Sequence, residues 1–175
     1  MVNIVEIDGG NFGQFLGGIV GVHRECFPRD CFREDMRYEW IDSCFRTKPR
    51  SVYYVADDKG VRGYVLFEEK GGFRKEAVVE LSQIGVLSAN RERRIATKLI
   101  RDGLRQFHET YILGTGRELS EVHVDTGLEN SGAQELYAKV LGALPQVNFP
   151  MYGRRELRMV GDRSRLEEAL EWLRG

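Results

Sequence analysis

The period of the apolar positions changes repeatedly along the 175-residue chain, and each change marks an element. NIVEI (residues 3–7) reads as a short strand. Phe12, Phe15, Leu16, Ile19, Val20, His23 and Phe27 then recur at helical spacing, until Pro28, which cannot continue a helix, breaks the pattern. Helical spacing resumes from Asp30 to Phe45 through Phe32, Met36, Trp40, Ile41, Cys44 and Phe45. VYYVA and VRGYVLFEE flank DDKG, two β-rich runs around a glycine-ended turn, which predicts a hairpin. The turn KGGFRK leads to another strand, AVVELSQIGV. A helix follows from Arg94 to His108, then a strand at EVHVDT (121–126) and a helix from Ser131 to Val140 stopped by Gly142. QVNF and RRELRMV read as closing strands around PMYG, and Ser164-Arg-Leu-Glu167 reads as a capping box opening a last short helix. The order β-α-α-β-β-β-α-β-α-β-β-α predicts an α/β or α+β layer architecture around a mixed sheet.

Composition narrows the picture. With 42% hydrophobic and 30% charged residues, the chain reads as one soluble globular domain spanning residues 1–175. A net charge of -1 argues against a nucleic-acid partner, which calls for a basic face. No apolar run reaches the roughly 18 residues of a membrane span, and no signal peptide opens the chain, so no membrane partner and a cytoplasmic location are expected. Cys26, Cys31 and Cys44 show no C-x-x-C spacing; we read them as reduced core or helix-face thiols, with no metal site. Gly13, Gly17 and Gly21 fall on one face of the first helix. Close packing against another element is the expected reason, and a bare face lining a substrate groove is the alternative.

The stretch VLSANRERRIATKLI (86–100) poses an electrostatic question. It sets Arg91, Arg93 and Arg94 where a helix begins, although the macrodipole is already positive there. A bound anion resolves the conflict. Strand, short loop and helix is a phosphate-gripping geometry in which the free N–H groups of the first turn point at the ligand, and guanidinium suits phosphate. No G-x-x-x-x-G-K-[ST] and no G-x-G-x-x-G after a strand occur, so neither a triphosphate loop nor a dinucleotide site is supported.

This stretch resembles the acetyl-CoA signature of the GNAT superfamily of N-acetyltransferases, a strand followed by R/Q-x-x-G-x-G/A and a helix. It aligns as Arg91-Glu92-Arg93-Arg94-Ile95-Ala96. A second segment, ENSGAQELYAKVLGAL, is similar to the family's N-x-x-A-x-x-L-Y-x-x-x-G-F, with Asn130, Ala133, Leu136 and Tyr137 on matching positions. Gly142 comes one residue late, and Ala143 stands where the family often has Phe. Arg94 replaces the first signature glycine; Arg keeps the backbone N–H and suits helical φ/ψ, so the side chain is expected to turn outward.

The resemblance implies a GNAT-like, mostly antiparallel sheet flanked by helices. It also implies acetyl transfer from acetyl-CoA, as co-substrate, to a primary amine by direct attack in a ternary complex. Ile84 and Val86 would lie beside the pantetheine arm, with Arg91, Glu92, Arg93, Arg94, Ile95, Ala96 and Thr97 around the pyrophosphate and Asn130 in the second motif. Tyr137 takes the position of the acid that protonates the departing thiolate; its phenol has a reference pKa of about 10. The plain alternative is a helix tyrosine with its hydroxyl at the surface.

Glu80 stands where some branches place a catalytic base, and it fits that role better if burial raises its pKa. By alternation it shares a face with Ser82, Ile84 and Val86; the plain alternative is an exposed residue paired with Lys or Arg. His123 is a second candidate base, with Asp125 on the same face to orient it. The acceptor amine, small molecule or protein, is not readable. A non-catalytic acyl-CoA-sensing module of the same fold is the competing reading, and the terminal helix either caps the domain or joins a homodimer.

Overall fold

The computed structural model describes residues 2–28, 33–91, 93–151 and 153–174. Seven strands form one mostly antiparallel sheet in the order β1-β2-β3-β4-β5-β7-β6. They are β1 (Asn3–Glu6), β2 (Ser51–Asp57), β3 (Val61–Glu69), β4 (Glu76–Val86), β5 (Glu118–Gly127), β6 (Leu144–Met151) and β7 (Arg154–Asp162). Among the described residues five α-helices accompany them: α1 (Phe12–Cys26), α2 (Glu34–Arg46), α3 (Ile95–Phe107), α4 (Ser131–Leu141) and α5 (Arg163–Ala169). The α/β class and element order expected from the apolar periodicity are those observed. The second helix begins at Glu34, and Asp30, Cys31 and Phe32 lie outside the described residues.

The chain divides into two compact units, Met1–Phe67 with Gln83–Leu104, and Glu68–Ser82 with Arg105–Gly175. In the first, β1 pairs antiparallel with β2, and α1 and α2 pack with the sheet through Phe15, Ile19, Val20, Ile41, Tyr53 and Tyr64. Phe12 stacks on Phe45 at 4.0 Å between ring centroids, which ties the two helices together. α3 buries Leu99, Ile100 and Leu104 completely. It comes close to the sheet: a Cβ on Gly63 of β3 would stand 2.7 Å from Gly85 O and 3.2 Å from Leu99 Cδ1. That approach leaves no room for a side chain at residue 63.

The glycine stripe of α1 departs from its expected role. A Cβ on Gly13, Gly17 or Gly21 would meet nothing within 4 Å, so this face is open. Gly18 is the one that packs, with Val61 Cγ2 2.5 Å from where its Cβ would be.

In the second unit β4 runs parallel to β5 from Glu76↔Glu118 to Leu81↔Val124, and β5 runs antiparallel to β7, bringing Asp125 opposite Arg158. α4 opens on Asn130, whose side chain accepts from the Ala133 amide, and closes on Gly142 at φ 60, the left-handed position that favours glycine. The last helix begins earlier than the capping-box reading has it. Asp162 at the end of β7 is the cap, accepting from the Arg165 amide, and Ser164 lies inside the first turn. The Asp162 carboxylate takes a first-turn amide with the cap two positions earlier, and that decides the start.

Candidate active site

In the first unit, β4 ends at Val86 and the chain turns through a short 3-10 segment, Ser88–Asn90, before α3. The turn is fastened to α1. Glu25 accepts from the Ser88 amide at 2.5 Å, and this bond, with Arg91 nearby, holds the Glu25 carboxyl below the usual range. Leu87 donates to Arg62 O at 3.0 Å, the Cys26 thiol to Val86 O at 3.4 Å and Arg91 Nε to the same carbonyl at 3.4 Å. Burial pushes the Cys26 thiol up against the opposing pull of Arg91.

Past this anchor, Arg94 O accepts from Lys98 N at 3.0 Å and starts α3. Among the described residues none accepts from the amides of Ile95, Ala96 and Thr97. Those are the orphan donors of a first turn. The guanidinium-bearing residues Arg91, Arg93 and Arg94 are all exposed beside them. Bare amides plus exposed guanidinium groups fit a pyrophosphate. Glu92 lies outside the described residues.

Arg94 does not have the helical backbone expected for it. Its φ is 57, in the left-handed region, so the chain takes at this position the conformation that the signature glycine would supply. An L-residue there costs about 1–2 kcal/mol, whereas glycine's greater freedom in the unfolded chain costs about 0.5–1. Arg94→Gly is therefore expected to raise stability in denaturant unfolding by roughly 0.5–1 kcal/mol; a loss of stability would show that the Arg94 side chain makes compensating contacts.

The second unit holds the candidate base. Glu80 on β4 is partly buried and lies directly opposite His123 of β5. Ser82 donates to Glu80 Oε1 at 3.4 Å and also to Glu68, while Lys70 Nζ sits 3.8 Å from Glu80 Oε2 and 3.0 Å from Glu68. Burial works against the Lys70 charge, but the two carboxylates outweigh it and raise its pKa. Glu80 and His123 line a cleft of about 520 Å³ together with Lys70, Arg74, Val78 and Arg158. The expected Asp125–His123 pairing is absent: Asp125 takes Arg158 in a two-bond grip at 2.8 and 2.6 Å, and His123 Nε2 meets Glu121 at 2.6 Å. The fork of Arg158 directly across the strand pair outcompetes an imidazole two residues along.

Tyr137 lies in α4 of the same unit, and only 5% of it is exposed, deeper than a surface tyrosine. Burial pushes its phenol up to about 12. Its backbone carbonyl receives the Gly142 and Ala143 amides, which fix the end of the helix. Asn130 is committed through its side chain to the α4 cap.

Neither Arg158 nor Lys70 is singled out by the sequence, and Ser82 enters there only by sharing a face with Glu80. The link between Asp125 and Arg158 depends on the β5–β7 register, and neither strand's alternation carries that information. The three form no local pattern with Glu80 apart from Ser82, two residues along.

A mixed sheet, a strand-loop-helix with bare amides and a buried tyrosine in the following helix together define an acetyltransferase architecture. The chain belongs to the acetyltransferase (GNAT) family, whose sequence profile matches residues 18–143. Members of this family use acetyl-CoA. The fold matches a GNAT-family protein from Desulfovibrio desulfuricans, with a TM-score of 0.72 at 11% identity over 93% of this chain and 99% of that one. It also matches mutant forms of the spermidine/spermine N-acetyltransferase SpeG from Vibrio cholerae, with a TM-score of 0.65 at 18% identity over 96% and 98% of the two chains. A third match is the ribosomal-protein-S18-alanine N-acetyltransferase from Escherichia coli, with a TM-score of 0.66 at 12% identity over 93% and 94%. At these identities the likeness establishes the fold. Comparison with curated protein sequences gave no match.

No helix among the described residues is long and apolar enough to cross a membrane. Among them, no group of three or more His, Cys, Asp or Glu side chains could hold a metal ion.

Proposed function

We propose that residues 1–175 act as a single N-acetyltransferase domain, moving an acetyl group from acetyl-CoA to a primary amine by direct attack in a ternary complex. The observation that carries this reading is the α3 N-terminus, where the amides of Ile95, Ala96 and Thr97 lack partners among the described residues and three exposed arginines stand beside them. Arg91 to Thr97 hold the pyrophosphate, and the backbone at Ile84 and Val86 holds the pantetheine arm. Asn130 sets the start of α4 and with it the position of Tyr137.

The chemistry requires a neutral amine, and Glu80 is the group that removes its proton. The amine nitrogen bonds to the thioester carbonyl carbon, the C–S bond breaks, and the sulfur takes a proton from Tyr137. Burial keeps the phenol protonated and so holds the proton in place for the departing thiolate, while making it a weaker acid than an ordinary tyrosine. Ser82 and Lys70 keep the Glu80 carboxylate in place.

A screen for thiol release from acetyl-CoA against small-molecule and peptide amines tests the proposal. Release with one amine class supports it and names the acceptor. Cofactor binding without release for any amine supports the non-catalytic acyl-CoA-sensing module instead, a reading favoured by the left-handed arginine in the glycine's place. With an accepted amine, Glu80→Gln is expected to lower kcat by about 10²-fold and leave acetyl-CoA affinity unchanged. If His123→Gln produces that loss while Glu80→Gln does not, His123 is the base.

A further inference from the structure

The charges around Glu80 bear on which amine can enter. The cleft of about 520 Å³ falls in the roughly 300–1,000 Å³ range of small-molecule sites. It lies wholly within the second unit. Among the described residues its charged lining is Lys70, Arg74 and Arg158, with Glu80 as the carboxylate.

The three cations differ in how far they are committed. Lys70 spans Glu68 and Glu80, and 43% of its side chain stays accessible. Arg158 gives Nε and Nη2 to Asp125. Its Nη1 has no partner among the described residues and is open to solvent, and 35% of the side chain is accessible. Asp125 first, and then Glu80, hold the Arg158 pKa up against burial, so the base and this guanidinium lie within electrostatic reach of one another. Asp125 and the Phe149 ring, 5.7 Å from Arg158 Cζ, hold the fork in a fixed plane.

Arg74 is the uncommitted one. It is exposed, and its guanidinium has no hydrogen-bond or ion-pair partner among the described residues. Only its backbone is held: the carbonyl accepts from Arg117 Nε at 2.7 Å. Gly72, two residues earlier on the cleft wall, turns the chain at φ 65, the left-handed conformation that suits glycine. A Cβ there would meet nothing within 4 Å, so this side of the cleft is open to a ligand.

Such a cleft sorts amines by their second group. The ammonium belongs at Glu80, which must take its proton. A carboxylate on the same molecule gains charge-assisted bonds from guanidinium groups. A diamine or polyamine instead sets its second ammonium against three cations, and that repulsion rejects it. A neutral amine gains nothing from them.

We propose that the acceptor is a small amine that also carries a carboxylate, as a free amino acid does, with Glu80 on the amine and Arg74 and Arg158 on the carboxylate. This rests on the acetyl-transfer reading above and adds the acceptor's class to it. The bond changes are the same. The C–N bond forms and the C–S bond breaks. Of the three ammonium protons one stays on the amide, one goes to Glu80 and one is matched by the thiol proton.

Amino acids, α and ω, are offered with acetyl-CoA as free acids and as their primary amides, with straight-chain diamines alongside, and thiol release is measured. The best acid is expected to exceed its own amide and every diamine by at least about tenfold in kcat/KM, with the difference in KM. Arg74→Gln should cut that acid-over-amide preference about tenfold and leave the KM for acetyl-CoA as it was. Arg74→Lys, which keeps the charge without the fork, should restore part of it. Because Arg74 is exposed and unpartnered, neither change should move the melting temperature. Release with amides or diamines in preference to acids would overturn the acceptor class and leave acetyl transfer standing. So would an acid preference that neither Arg74→Gln nor Arg158→Lys reduces, or release from peptide amines alone. Silence from every amine would overturn acetyl transfer itself, and the acceptor class with it.

Discussion

Tyr137→Phe is expected to lower kcat by about 10²-fold or more while acetyl-CoA binds as before. The substitution keeps the buried ring and removes one oxygen, so α4 should not move. Because the phenol is pushed up to about 12, it stays protonated well past the ordinary tyrosine pKa of about 10. The wild-type rate should therefore show no alkaline loss from this group near pH 10. The same shift has a stability consequence. A raised pKa favours the protonated native state, so its contribution is fully present below about pH 10 and is lost as the pH climbs towards 12. Tyr137→Phe should abolish that alkaline loss. Measuring kcat and unfolding free energy against pH for both proteins checks the two effects separately, and an unchanged kcat would remove Tyr137 as the acid.

Leu99→Ala is expected to produce the largest loss of stability, about 2–5 kcal/mol. Leu99 is fully buried on α3, and its Cδ1 lies 3.2 Å from where a Cβ on Gly63 of β3 would stand. Truncation empties that contact and loosens the helix whose first turn carries the bare amides. At about 2–4 °C per kcal/mol for a chain of this size, the melting temperature should fall by roughly 5–15 °C. Gly63→Ala tests the same place from the opposite side. The added Cβ would press on Gly85 O, a backbone atom that cannot swing aside, so a loss of about 1–3 kcal/mol is expected from overfilling. If both variants melt like the wild type, α3 is not seated as described.

Elements with a strong period could be read from the chain alone. The apolar rows of α1 and α3, the β2–β3 hairpin and the glycine stop of α4 each depend on residues close in sequence. The choice of cap for α5 could not be read. Ser164 and Glu167 satisfy a local rule, but Asp162 lies nearer the true helix start and takes the amide. Nor could the conformation of Arg94, because a pattern that places arginine in a helix says nothing about the turn that delivers the chain into it.

The base candidate shows the same boundary. Alternation placed Glu80 and Ser82 on one face, and they hydrogen-bond. The partner of Asp125 depended on which strand lies beside β5, a fact of register rather than of composition. The glycine stripe of α1 failed as a packing signal for a similar reason. Spacing fixes a face, but only the neighbouring elements decide whether that face is covered.

The claim on which the functional account stands is that the unpartnered amides at the start of α3 clasp the linked phosphates of coenzyme A. Titrating ¹⁵N-labelled protein with CoA and following backbone amide resonances tests it without requiring an acceptor. The account predicts that the signals of Ile95, Ala96 and Thr97 move first and furthest, and that they saturate together. Saturable shifts confined to other parts of the chain, or none at millimolar CoA, would contradict it.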